Sequence, residues 1–99
     1  MRPHPTALAW LDPNHTVAPE WDSAQIRKLA RRLGYALLWP PDDSTLDPAD
    51  IARQMDVDAV IVPAPTHLTA LALNRLMNVA DVESANPRCS FARWRVGTA

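Results

Sequence analysis

Two kinds of apolar spacing take turns along this chain: short continuous apolar runs of strand type, and longer stretches with helical periodicity. Residues 6–11 (Thr-Ala-Leu-Ala-Trp-Leu) predict an apolar first strand, halted by Asp12-Pro13-Asn14. A loop over 12–21 leads to a helix from about Ser23 to Leu33, with Asp22 or Ser23 as its N-cap. Ile26, Leu29, Ala30 and Leu33 fall on one stripe of that helix, and Gly34 is placed as its left-handed C-cap. Tyr35 to Trp39 then predict a second strand, ended by Pro40-Pro41.

The second helix has the sharpest start signal. Asp47 caps it, Pro48 occupies the first turn, and Asp50 lies near the positive end of the helix dipole. Leu46 and Ile51 have the spacing of a hydrophobic staple around that cap. Ala59-Val60-Ile61-Val62, between Asp58 and Pro63, predicts a β-branched third strand. A third helix is expected over 68–82, a turn at Asn86-Pro87, and a final strand from Cys89 to Val96. In that strand Ser90, Ala92, Trp94 and Val96 alternate with Cys89, Phe91, Arg93 and Arg95, as on an edge strand with one covered face.

The order β-α-β-α-β-α-β demands parallel strands and right-handed crossovers. The expectation is therefore a single three-layer flavodoxin-like α/β domain over residues 6–96, with a four-stranded, mainly parallel sheet in the order 2-1-3-4. Residues 1–5 are read as an extended N-terminal tail and 97–99 as a C-terminal tail.

Composition narrows the picture. Ninety-nine residues, 47% hydrophobic and 21% charged, suit one globular domain. The longest near-apolar run, Ala59 to Pro65, is too short to span a bilayer, and Met1-Arg2-Pro3-His4-Pro5 has no apolar core of signal type. Cys89 is the sole cysteine, which rules out an internal disulfide and a cysteine metal cluster. A cytoplasmic location is the expectation from these features. With a net charge of −1, no bulk attraction to nucleic acid or membrane is expected. Nine arginines against the single Lys28, with abundant Ala and Pro, suggest a high-GC bacterial source. Trp10, Trp39 and Trp94 are expected to complete a small core.

Ligands of open parallel sheets bind at the carboxyl ends of strands, where the strand order reverses. Here that crevice lies between the first and third strands, and Asp12, Asn14, His15, Thr16, Asp43, Thr66 and His67 are the polar groups able to converge there. Two histidines near carboxylates could bind a metal or move protons, but turns and caps call for the same residue types. No metal site, catalytic residue or cofactor is therefore assigned. Only Gly34 and Gly97 are available, too few glycines for a phosphate cradle, and no zinc-protease or nucleophile-elbow motif is present. Asp42-Asp43-Ser44-Thr45 lacks the spacing and glycine of a calcium loop.

Two helix faces are candidates for partners. Arg27, Lys28, Arg31 and Arg32 form a basic face on the first helix, read as a solvated back that complements the helix dipole. On the third helix the apolar residues sweep about 260° of the wheel, more than one sheet can cover. Leu73, Met77 and Ala80 form a second stripe there, the expected contact with another copy or another chain.

With the strands placed, the chain resembles the N-terminal catalytic domain of serine recombinases, the resolvase/invertase family, over residues 6–82. Where that family has Tyr-x-Arg-x-Ser, this chain has Trp10-Leu11-Asp12-Pro13-Asn14. Where it has Leu-Asp-Arg-Leu-x-Arg, this chain has Pro65-Thr66-His67-Leu68-Thr69-Ala70. The resemblance places Asn14 at the nucleophilic serine and Asp12, His67 and Ala70 at the activating arginines. An amide cannot form a phosphoserine link, and losing the cations removes the stabilisation that phosphoryl transfer needs. The resemblance thus implies a non-catalytic relative, acting as a protein-interaction or dimerisation module. A small ligand-binding domain or enzyme using the crevice is the alternative, and a weak nucleic-acid-associated protein the third.

Overall fold

A computed structural model describes residues 4–41 and 46–94. The elements are β1 (Thr6–Ala9), α1 (Pro19–Leu33), β2 (Ala36–Leu38), α2 (Pro48–Met55), β3 (Ala59–Val62), α3 (Ala70–Met77), β4 (Asp81–Ala85) and β5 (Arg88–Phe91), with a 3₁₀ turn at Pro65–His67. They build one five-stranded sheet in the order β2-β1-β3-β4-β5. The pairs β1–β2, β1–β3 and β3–β4 are parallel, and β5 returns antiparallel to β4.

Strand pleating divides the core in two. Ala7, Ala9, Ala59 and Ile61 face α1, where they meet Ile26, Leu29 and Ala30. Leu8, Val60, Val62 and Val82 face the other way, onto Ala49, Ile51 and Ala52 of α2 and Leu76 of α3. Residues 7–9 of β1 and all of β3 are buried on both faces, which is why those stretches are apolar without a break. The three layers, the parallel β2-β1-β3 arrangement and the edge position of the last strand are as the sequence predicts.

Helix ends follow local chemistry. Asp47 accepts hydrogen bonds from the Ala49 and Asp50 amides, with Pro48 in the first turn. Gly34 adopts φ 82° and its N–H closes α1 onto the Ala30 and Arg31 carbonyls. α1, however, begins at Pro19 rather than Ser23, with Ala18 at the cap, so Asp22 lies inside the helix. Pro at the first position and Glu20 and Asp22 in the first turn stabilise this earlier start.

The largest correction concerns the expected helix over 68–82 and the sheet of four strands. α3 starts after Thr69, whose hydroxyl accepts the Ala72 amide, and ends at Met77. Residues 81–85 are instead a fifth strand, β4, paired in parallel with β3 through Ala59↔Asp81 to Val62↔Ser84. Their burial alternates, Val82 and Ser84 inward against Asp81, Glu83 and Ala85, a period-2 pattern that a helix cannot satisfy. The predicted final strand, 89–96, is β5 over 88–91 and pairs with β4 rather than β3. Its expected continuation through Arg95 and Val96, and the tails 1–3 and 97–99, lie outside the described residues.

The tryptophans also depart from expectation. Trp10 packs on the α2–α3 core, but Trp39 is 42% and Trp94 51% exposed. β2 stops at Leu38, which leaves Trp39 beyond the sheet, and Trp94 follows β5, its indole N–H donating to Asn74 at 3.2 Å. Among the described residues no helix is long and apolar enough to cross a membrane.

Candidate functional site

The sheet order reverses between β1 and β3, so the crevice expected to hold a ligand is formed by residues 10–18 after β1 and 63–69 after β3. The first loop folds on its own side chains. The Asp12 carboxylate accepts the Asn14 amide at 2.9 Å while its carbonyl accepts the His15 amide at 3.0 Å, a turn with Pro13 preset at its second position. Thr16 accepts the Ala18 amide at 3.2 Å, which leads the chain into α1.

The second loop supplies His67 from the 3₁₀ turn. Its side chain is 4% exposed, and Nδ1 accepts the Asp12 backbone N–H at 3.0 Å. A ring nitrogen that accepts carries no proton, so the neutral imidazole holds its hydrogen on Nε2. Nε2 faces Asp22 at 3.9 Å, and Asp22 in turn accepts the Thr16 hydroxyl. His15 Nδ1 lies 2.7 Å from the Asp12 carboxylate, and the two imidazole centroids are 6.1 Å apart. The crevice is thus closed by a network that ties both loops and the start of α1 together.

The electrostatics follow from these contacts. The Asn14 amide and then His15 hold the Asp12 carboxyl below its usual value. Burial pushes the His67 imidazole down; Asp22 and Asp12 oppose that shift and His15 adds to it.

The structure brings together four of the seven predicted polar groups, Asp12, His15, Thr16 and His67. Asn14 joins through its backbone N–H alone, and Thr66 is exposed and takes no part in this network. Asp43 lies outside the described residues. Asp22 is the participant that sequence reasoning assigned elsewhere, to the helix cap; its signal is the acidic first turn after Pro19. Among the described residues no group of three or more His, Cys, Asp or Glu is arranged to hold a metal ion.

Next to this network, on the α2 side, is a cleft of about 480 Å³ lined by Trp10, Leu11, Pro13, Trp39, Pro40 and Ile51. A cleft of similar size, about 520 Å³, lies at the opposite, amino edge. Two of its aspartates serve the fold: Asp58 accepts the Thr6 amide at 2.8 Å and Asp81 the Arg93 amide at 2.7 Å.

The stripe predicted as an interface on the third helix is largely taken up internally. Leu73 and Met77 are half-buried against the α2–α3 core, and Ala80 is 1% exposed in the turn before β4. α3 leans on α2 as well as on the sheet, so it needs a wider apolar arc than a helix on a sheet alone. The basic residues Arg27, Lys28, Arg31 and Arg32 are exposed, with the Arg27 guanidinium 5.6 Å from the Trp39 ring centroid.

Exposed apolar surface is concentrated elsewhere. The large apolar residues exposed among those described are Val17, Trp21, Leu33, Trp39, Leu46, Leu71 and Trp94. Val17 precedes α1, Trp21 is in its first turn, Trp39 follows β2, Leu46 precedes α2 and Leu71 is in the first turn of α3. In this topology all five of those positions belong to the carboxyl edge of the sheet. No family model matches the chain, and neither does any curated protein or solved structure.

Proposed function

We propose that this chain is a non-catalytic interaction domain, recombinase-like in fold, that dimerises through the carboxyl edge of its sheet. The observation that carries the reading is the gathering of Val17, Trp21, Trp39, Leu46 and Leu71 at that one edge. Exposed tryptophans are costly to leave in water and are the side chains that most often anchor interfaces. This moves the proposed contact from the outer face of the third helix to the edge where all three helices begin.

The absence of catalysis is part of the proposal and is supported by residue chemistry. The resemblance to serine recombinases sets Asp12, Asn14, His67 and Ala70 at the serine and arginine positions. The Asp12 N–H donates to His67 and the Asp12 carboxylate accepts from Asn14, so three of those four positions meet in one network. Among the described residues that network contains no arginine and no serine.

Sedimentation of the purified chain tests the reading. A concentration-dependent dimer is expected, and Trp21→Ala and Trp39→Ala should each weaken it by about tenfold or more, as truncation of an interface tryptophan does. A chain that stays monomeric at millimolar concentration, or variants that dimerise like the wild type, would refute it. A second reading, small-molecule binding, is favoured by the cleft between Trp10 and Trp39, whose volume falls within the range of ligand pockets. Titration with small aromatic probes should then quench tryptophan emission, and Trp39→Ala should remove that response.

A further inference from the structure

His67 joins parts of the chain that are 55 residues apart through a bond that only one protonation state can make. Its Nδ1 must be bare to accept the Asp12 N–H, and that hydrogen bond is a direct side-chain link from the β3 loop to the β1 loop. We propose that His67 is a proton-operated latch: neutral, it holds the 10–18 loop to the β3 loop; protonated, it releases the Asp12 N–H and loosens that loop.

The geometry gives the reason. A proton on Nδ1 would set two donors against each other over 3.0 Å, so the hydrogen bond to Asp12 is lost. The same proton makes the ring a cation whose Nε2–H is already 3.9 Å from the Asp22 carboxylate. The charged groups that face the ring among the described residues are Asp22 from α1 and Asp12 and His15 from the β1 loop. A stronger pull on Asp22 competes with its bond to Thr16, whose oxygen holds the Ala18 amide at the entry to α1. Loss of one bond and competition for the next act on the same 10–18 loop, which carries Val17 and leads to Trp21.

The direction with pH is set by burial, which lowers the folded-state value of His67 below 6.5. Above 6.5 the ring is neutral in both folded and unfolded chains, and the latch is closed. As the pH falls below 6.5 the unfolded chain takes up the proton first, so stability declines until the folded value is passed. The latch opens around that lower value. Its consequence for dimerisation rests on the carboxyl-edge reading above: acid would then disturb the surface carrying Val17 and Trp21.

Amide hydrogen exchange on the isolated protein tests the latch without any partner. After correction for intrinsic exchange, protection of the Asp12 amide should fall about tenfold or more between about pH 7.5 and 4, while the β3 amides stay protected. His67→Asn keeps an acceptor near the Nδ1 position but does not titrate, so its Asp12 protection should be the same at both pH values. Equal wild-type protection at both pH values, or a His67→Asn variant that loses protection as the wild type does, would overturn the proposal. Should His67→Asn fail to fold, ¹⁵N shifts of the wild-type imidazole decide: neutral-pH shifts showing the proton on Nδ1 overturn it, and those showing it on Nε2 support it. Sedimentation of the wild type separately reports on the surface, so a chain that never dimerises refutes that reading and leaves the latch result standing.

Discussion

Asp47 performs two jobs that substitution can separate. Its carboxylate accepts the Ala49 amide at 2.7 Å and the Asp50 amide at 3.3 Å at the start of α2, and it also meets Arg75 of α3 at 2.8 Å. Replacing an aspartate cap by alanine costs about 1 kcal/mol, within a range of about 0.5–2. The ion pair joins side chains that are 50% and 36% exposed, so solvent screening holds its share to about 0.2–0.5 kcal/mol. Asp47→Ala should therefore lose about 1–2 kcal/mol, whereas Asp47→Asn, which keeps a capping oxygen, should lose only the smaller share. Arg75→Ala should match Asp47→Asn. Urea unfolding at constant m-value reads all three through the midpoint. If Asp47→Asn is as damaging as Asp47→Ala, the cap is not the source of stability at this corner and the reasoning fails.

Two further perturbations probe the sheet and the crevice. Ser84 is fully buried on β4, and its hydroxyl has no hydrogen-bond partner among the described residues. Ser84→Ala should raise stability by about 1 kcal/mol, the desolvation cost of an unsatisfied hydroxyl less the small void left behind. A fall in melting temperature would show that the hydroxyl is bonded. Asp12 is held below its usual value of 3.8, chiefly by the Asn14 amide and then by His15. Its contribution is present above 3.8 and is lost as the pH falls through the lower folded value. Asp12→Asn should accordingly flatten the decline in stability below pH 3.8, and an unchanged acid slope in urea titrations would count against the Asp12 contacts.

The features legible in the chain are those whose partners lie within a few residues. The cap at Asp47-Pro48 and the left-handed Gly34 are satisfied by amides and carbonyls of the adjoining turn. β3 needs no distant information either, since four β-branched or small apolar residues between Asp58 and Pro63 suit a strand covered on both faces. From these, the three layers and the run β2-β1-β3 follow by the handedness of parallel crossovers.

What remained hidden depends on contacts made across the fold. Residues 68–82 are apolar enough to suit a helix throughout, and the choice of strand for 81–85 comes from hydrogen bonds to β3 and β5 that local spacing does not encode. Asp22 reads as a cap until Pro19 is seen to start α1 early and the fold brings His67 to it. The tryptophans are equally silent about their surroundings: Trp10 packs half-buried against the core while Trp39, one residue past β2, is 42% exposed. Caps and apolar runs are local free energies and can be read in order along the chain. Sheet pairing, burial of a titrating histidine and exposure of an indole are decided by which distant surfaces come to lie alongside, and for those the assembled fold is required.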